Sequence, residues 1–308
     1  MSPPAVSVLV PTTTQPVSEK LVPERSRRYY ASGDPKDLFK PDEQTVPPEF
    51  DDPYEERKYL KHRLALAFRI FAQHGFTEGV AGHITLRDPV EPDSFWVNPF
   101  GMHFSLIRDK DLLRVDKDGN VVDGGKNRRL NKAAYAIHHE IHKARPDVIC
   151  AAHSHSLYGR AMCATGRPLS MLTQDFCTFH ASHVVYPNFG GTVVANEEGQ
   201  RIAAHLGPAS KAALLGNHGL LTVGRSIEAA VFYFVLLEKL CRVQLVAEAS
   251  SAGTGTPLVT IGEDEASAAF DAVGTEGAGY FQGLPLFQLA EAEFGERTLL
   301  GRGLEPLD

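Results

Sequence analysis

The sequence predicts an α/β fold in which a central sheet carries helices on both faces. Two observations predict it. Short strand-like runs alternate along the chain with four or more helical segments, the pattern of a sheet that needs cover on each side. One run, Val148–His153, is almost continuously apolar, which suits a strand buried on both faces. Composition agrees. Of 308 residues, 43 % are hydrophobic and 22 % charged, and the mean hydropathy is -0.18, an ordinary globular profile. No composition break divides the chain, so one domain is expected over residues 51–250.

Residues 1–50 are rich in Pro, Ser, Thr and charge. Their prolines, from Pro3 to Pro48, break helices and central strands, so a disordered or extended arm is expected. Glu55–His74 places Tyr59, Leu60, Leu64, Phe68 and Phe71 at helical spacing and stops at Gly75. Four strand-like pieces follow: Val80–Arg87, Ser94–Asn98, Leu112–Asp116 and Asn120–Val122. The last two are joined by a hairpin turn through Asp118-Gly119.

A helix from Lys132 to Ala144 is capped by Asn131 and stops before Arg145-Pro146. After the strand at Val148–His153, Ser156–Thr165 reads as helical. Ala212–Leu215 and Leu220–Val223 flank the tetrapeptide Gly216-Asn217-His218-Gly219, a turn between two short strands. Ser226 caps a long helix that reaches about Ala249. The remainder, residues 251–308, is Gly-rich and acidic until a helix near Leu286–Glu296. It is expected to pack on the domain or on a neighbouring subunit.

The net charge of -7 and pI near 6.0 argue against a nucleic-acid or anionic-membrane surface, which needs clustered Lys and Arg. Cys150, Cys163, Cys177 and Cys241 form no CxxC pair and suit free core thiols in a reducing compartment. No apolar run approaches the roughly 18 residues that span a bilayer, and no basic region precedes an apolar core at the N-terminus. A cytoplasmic protein is expected.

The chemistry concentrates in histidines. Ala152-His153-Ser154-His155 puts two imidazoles two residues apart at the mouth of a buried strand, on the same side of an extended backbone. His218 lies between Gly216 and Gly219, where the chain can bend sharply. Three neutral imidazoles on one divalent cation leave coordination positions open, the pattern of a catalytic site. Zn, Fe, Mn and Co all suit such ligands. The competing reading is three separate histidines satisfied by local hydrogen bonds. His138-His139-Glu140-Ile141-His142 reads HxExH, unlike the HExxH of zinc proteases, and suits a polar helix face with His138 or His139 turned to the site. His83 and His103 follow glycine-containing turns and are candidates to enter a pocket. His180 and His183 suit either supporting donors or surface, and His62, His74 and His205 read as surface. There is no glycine-rich phosphate loop and no GxSxG elbow.

In chain order, Val80-Ala81-Gly82-His83-Ile84-Thr85-Leu86-Arg87, Asn98-Pro99-Phe100-Gly101, Arg145-Pro146-Asp147-Val148, the His153/His155 pair and Asn217-His218-Gly219 resemble the class II aldolase/adducin family. The likeness runs over about residues 55 to 250. It implies that His153, His155 and His218 hold one divalent metal (Zn, Fe or Mn). It also implies a three-layer α/β/α sandwich around a mixed, mostly antiparallel sheet, and ring-shaped homo-oligomers (a tetramer is expected) with active sites near subunit contacts. Sugar-phosphate members use the metal to polarise a carbonyl and stabilise an enediolate. This chain departs from them. Ala134 stands where they carry a catalytic glutamate, and their phosphate-binding positions fall on His83, Phe100, Lys132 and Ala133, with Gly101 alone unchanged in type. A phosphate needs several N–H or hydroxyl donors, and Phe100 and Ala133 offer none from a side chain.

Three functions follow as expectations. The first is a metal-dependent lyase acting on a non-phosphorylated carbonyl or carboxylate small molecule. His83, Phe100, Gly101 and Gln174 would bind the substrate, and His138, His139, Tyr158 or Asp175 would move protons. The second is a non-haem iron oxygenase of an aromatic keto or hydroxy acid, as in a few similar members; Phe100, Phe104, Phe176 and Phe179 suit an aromatic substrate and equally suit a core. The third is a non-catalytic binding module like the head of adducin, whose basic tail has no counterpart in the acidic C-terminus here.

Overall fold

The computed structural model describes residues 46–191 and 196–298; most of the arm expected over residues 1–50 therefore lies outside the described residues. Among them, eight strands form one sheet in the order β4-β3-β2-β1-β5-β8-β7-β6. They are β1 (His83–Arg87), β2 (Phe95–Val97), β3 (Leu113–Val115), β4 (Val121–Gly124), β5 (Cys150–Ser154), β6 (His183–Tyr186), β7 (Ala212–Leu215) and β8 (Gly219–Gly224). Every pairing is antiparallel except the parallel β6–β7 pair. The sheet is thus mixed and mostly antiparallel, as the resemblance implied.

Among the described residues seven helices surround it: α1 (Pro53–Gln73), α2 (Lys132–Ala144), α3 (Leu157–Thr165), α4 (Asn196–Leu206), α5 (Ile227–Thr254), α6 (Glu263–Val273) and α7 (Glu276–Thr298). The strand alternation sorts them into layers. Cys150, Ala152, Leu214 and Leu220 face a core shared with α1, α3, α5 and α7. Ala151, Ala213, Leu215 and Leu221 face a smaller core under α2 and α4. His153, two residues from Ala151 on β5, therefore projects into the α2 layer.

The caps at Asn131 and Ser226 stand where the sequence indicates, and Asp52 adds a third that the sequence reading did not name. Asp52 accepts from the Tyr54 N–H with Pro53 opening α1, Asn131 accepts from Ala133 and Ala134 N–H, and Ser226 accepts from Ala229 N–H. In α1, Arg63 donates to buried Glu228 of α5 at 2.8 Å. His62 lies 2.8 Å from Glu291 of α7, so His62 is buried rather than on the surface. Burying Arg63 and Glu228 is tolerable because they are paired. Helix α7, longer than the expected Leu286–Glu296 segment, packs against both α1 and α5.

Three elements are absent from the sequence expectation. Helix α6 lies in the Gly-rich acidic tail, where Glu263, Asp264 and Glu265 occupy its first turn and favour that end electrostatically. Strand β6 gains its place from pairing with β7 rather than from an alternating pattern. In α4, Gly199 masks the helical period, yet it is there for packing: a Cβ at 199 would lie 2.2 Å from the Ala136 carbonyl oxygen of α2. Gly199→Ala is expected to push α4 off α2 and cost about 1–3 kcal/mol in denaturant unfolding; an unchanged midpoint would show that the two helices can separate freely.

Candidate metal centre

Strand β5 ends at Ser154, carrying His153 inside its last pairings and His155 just beyond. His153 is buried and pairs in register with Leu221 of β8. Its Nδ1–H donates to the Leu220 carbonyl at 2.8 Å. A carbonyl can only accept, so the proton is fixed on Nδ1 and Nε2 keeps its lone pair. His218 sits in the β7–β8 turn beside Asn217, whose φ of 55° makes Asn217, not either flanking glycine, the left-handed residue of the turn. Gly219 serves close approach instead. A Cβ there would lie 2.7 Å from the Ser154 oxygen, 3.3 Å from His153 Cε1 and 3.4 Å from His155 Cδ2. Only a bare backbone lets the turn settle against the strand end.

The consequence is convergence. One ring nitrogen from each of His153, His155 and His218 lies within 4.8 Å of the others, and the ring centroids are 5.2, 4.8 and 4.9 Å apart. Burial lowers all three basicities. The His153 imidazole is held well below its ordinary value by desolvation, then by neighbouring His218, His83 and His155. His218 is lowered to about 4 by desolvation and then by His155, and His155 is lowered by desolvation and then by Arg160. The neutral imidazole is the form a metal needs. Three lone pairs gathered in a partly buried recess, one of them aimed by a backbone carbonyl, fit a divalent cation.

A second layer of histidine lies beside the triad. His83 stands opposite His153 across the β1–β5 pairing. Its ring centroid is 5.0 Å from that of His153 and 4.2 Å from that of His138 on α2. Both ring nitrogens of His83 and the Nε2 of His138 are buried without a hydrogen-bond partner among the described residues. Thr85 and His142, passed over in the sequence, complete the group. The Thr85 hydroxyl lies 2.7 Å from His138 Nδ1 and 2.8 Å from His142 Nε2. The signal was present: His83, Thr85 and Arg87 share one face of β1, and His138 and His142 are one turn apart. Phe189 was also missed; it is 57 % exposed with its ring 6.3 Å from His218.

The other candidates are held by neighbours of their own. His139 is half-buried and stacks on Tyr135 at 5.0 Å. Tyr158 packs against the α1/α5 core, its N–H bonded to Glu238 and its ring beneath Arg242. Gln174 and Asp175 are exposed in a 3-10 turn, Gln174–Phe179. Phe100 is half-buried, its backbone bonded to Arg129 and Asn127, and Gly101 is exposed. His103 caps a short turn at Ser105 from the surface instead of entering a pocket. Phe104, Phe176 and Phe179 belong to the α1/α5 core, which removes them from any substrate pocket. Arg145, from the Arg-Pro-Asp segment, clamps Asp147 and the Gly207 and Ser210 carbonyls, a structural role.

Residues 62–245 match the family profile described as Class II Aldolase and Adducin N-terminal domain. The chain is 50 % identical over 206 residues to Decarboxylase NovR of Streptomyces niveus, covering 66 % of this chain and 75 % of that one. It is 48 % identical over 213 residues to the 4-hydroxy-3-prenylphenylpyruvate oxygenase/4-hydroxy-3-prenylbenzoate synthase of Streptomyces roseochromogenus subsp. oscitans, covering 68 % and 76 %. Among solved structures it is similar to L-fuculose 1-phosphate aldolase from Glaciozyma antarctica PI12, with TM-score 0.76 and 44 % identity over 83 % of this chain and 97 % of that one.

The buried imidazoles make stability depend on acidity. His138 and His142 are held well below the ordinary 6.5, mainly by desolvation. The unfolded chain therefore takes up protons first as pH falls, and their contribution is present above about 6.5 and lost progressively below it. Unfolding free energy of the metal-free protein, measured between pH 7.5 and 5 (roughly the span over which unfolded histidine titrates), is expected to fall with pH. A flat profile would contradict neutral burial of the cluster.

Proposed function

Because the chain belongs to the class II aldolase and adducin family, we propose that it is a metal-dependent lyase acting on a non-phosphorylated 2-oxo or 2-hydroxy carboxylate. The coarser part rests on firm ground: the family and the relatives named decarboxylase and oxygenase/synthase fit a small-molecule, lyase-like role. One observation supports the finer part. The triad is flanked by His83 and His138, which offer buried, unpartnered ring nitrogens, rather than by the hydroxyl and amide cradle that a phosphate requires.

His153, His155 and His218 would hold the metal, Zn, Fe or Mn. When bound, such an ion supplies Lewis acidity at a substrate oxygen. The protein's own groups do the rest. His83 and His138 lie where they can hydrogen-bond a substrate oxygen beside the triad, and their neutral state lets them donate without a buried cation. Phe189 provides an apolar wall next to His218, suited to an aryl or alkyl substituent. Ala134, buried on α2, leaves no carboxylate at the position where sugar-phosphate members carry their base. The name of the Glaciozyma antarctica aldolase accordingly stays with that protein.

A non-haem iron oxygenase of an aromatic keto acid is the second reading, favoured by the name of the Streptomyces roseochromogenus relative and by Phe189. The same proposal includes a homo-oligomer, a tetramer by the resemblance, and a cytoplasmic location; among the described residues, no helix is long and apolar enough to cross a membrane.

The discriminating experiment loads the metal-free protein with Zn, Mn or Fe under nitrogen and supplies an aryl-pyruvate and an aryl-hydroxy acid, with and without oxygen. Turnover independent of oxygen with Zn or Mn is expected. Turnover with iron alone, matched by oxygen uptake, would replace the lyase by the oxygenase. A folded protein that takes up no metal and turns over neither would favour the adducin-like binding module.

A further inference from the structure

We propose that Lys211 is a carbamylation site: its side-chain amine adds carbon dioxide, and the carbamate lies in a cavity beside the α6–α7 junction, where the Ser182 hydroxyl donates to it. Lys211 precedes β7 and His218 follows it, so the cavity lies at the opposite end of that strand from the histidine triad. Its chemistry does not depend on the metal centre.

The cavity has a volume of about 220 Å³, and its polar lining comes from Arg145, Asp147, Ser182, Lys211, Arg225 and Glu276. The Lys211 backbone N–H donates to the Ser182 carbonyl at 2.9 Å, one step ahead of the parallel pairing of His183 with Ala212. That bond sets the two residues side by side at the cavity wall, and each is only 5 % exposed. The Ser182 hydroxyl is buried with no hydrogen-bond partner among the described residues, a condition uncommon enough to need an explanation. The Lys211 amine has one hydrogen bond among the described residues, to the Gly274 carbonyl, whereas an ammonium has three protons to place. The rings of Tyr233 and Phe270, 4.6 and 4.8 Å from Nζ, attract a cation, and so does Glu276. Desolvation outweighs them and lowers Lys211 to about 7. A substantial fraction is therefore the free amine at neutral pH, and the free amine is the nucleophile.

Carbon dioxide suits this amine because it is small, uncharged and needs no leaving group, so it reaches a buried nitrogen without carrying an ion inward. The Nζ lone pair attacks its carbon. An N–C bond forms, one C–O π bond breaks, and one N–H proton departs; nothing is oxidised or reduced. The remaining N–H keeps its bond to the Gly274 carbonyl, and the new carboxylate gives the Ser182 hydroxyl the acceptor it lacks. Glu276 receives the proton, since desolvation raises its basicity above the ordinary carboxylate range. The charge of the cavity is then conserved. Before the reaction, Arg145 and Arg225 face Asp147 and Glu276; afterwards they face Asp147 and the carbamate, with Glu276 neutral. No extra ion is buried, and the desolvation penalty of one is avoided. A free anion finds less here, because Asp147 already holds Arg145 and lies 3.8 Å from Arg225. A covalent bond supplies the retention that charge does not.

The test equilibrates full-length protein with 13C-labelled bicarbonate and carbon dioxide, then traps carbamates as stable ethyl esters with triethyloxonium. Peptide mass mapping of the wild type is expected to place the added mass on Lys211. This readout needs no variant to fold, and it separates Lys211 from the N-terminal amine, which is also partly neutral at that pH. In 13C spectra, a carbamate resonance is expected in the wild type and absent from Lys211→Arg, which keeps the charge and loses the nucleophile. Ser182→Ala is expected to raise the half-saturating carbon dioxide concentration by at least about tenfold, the scale of one hydrogen bond to a charged group. Ser182→Thr, which keeps the hydroxyl, is expected to restore it. No trapped mass on Lys211, or no more than on exposed lysines, overturns the proposal and leaves Lys211 a structural tie to the α6–α7 turn. Equal uptake by wild type and Ser182→Ala would refute the placement of the carbamate against Ser182.

Discussion

The hydrogen bond from His153 Nδ1–H to the Leu220 carbonyl is the constraint on which the site depends. It is a tie between neighbouring strands, β5 and β8, made by a side chain instead of the backbone. It fixes which nitrogen of His153 is free, and it does so at the place where the β7–β8 turn delivers His218. The backbone of Gly219 closes against Ser154 at a distance that excludes any side chain. Antiparallel pairing, a bare glycine and one imidazole N–H thus set the spacing of three ring nitrogens. A site built this way is preorganised: no large rearrangement is needed to bring the ligands together.

The rest of the fold holds that junction still. The α1/α5 core fills the opposite face of the sheet with fully buried aromatic and aliphatic side chains, among them Phe68, Phe71, Tyr233 and Phe234. Such a core sets strand positions closely because it is packed at crystal-like density. Buried Glu238 of α5 accepts from the Ser156 hydroxyl and from the Tyr158 and Gly159 N–H groups, pinning the start of α3 directly after His155. On the other face, α2 sets the polar His138 and His142 beside the apolar Ala136, Ile137 and Ile141, so the imidazole cluster is the point at which the sheet stops being purely structural.

Much of this was legible in the sequence. The caps at Asn131 and Ser226, the buried strand into His153 and the turn around His218 depend on residues close together in the chain, and each kept its expected place. The triad could be read because two of its members share a strand end and the third sits in a glycine-flanked turn. What escaped depends on contacts between distant segments. Thr85 is an unremarkable strand residue until α2 lays His138 and His142 over it, and Gly199 looks like a helix breaker until its contact with Ala136 is known. Phe104, Phe176 and Phe179 suited a pocket or a core equally, since composition does not say which face of the sheet a side chain meets. Strand β6, unpatterned on its own, exists because β7 offers an edge.

The central claim is that three imidazoles converge on one cation with positions to spare. X-ray absorption on the zinc-loaded protein tests it most directly. The account predicts one bound zinc with three imidazole nitrogens at about 2.0–2.1 Å and the remaining coordination from water or buffer oxygen. A first coordination sphere with fewer than three imidazoles, or one built from oxygen or sulfur ligands, would contradict it.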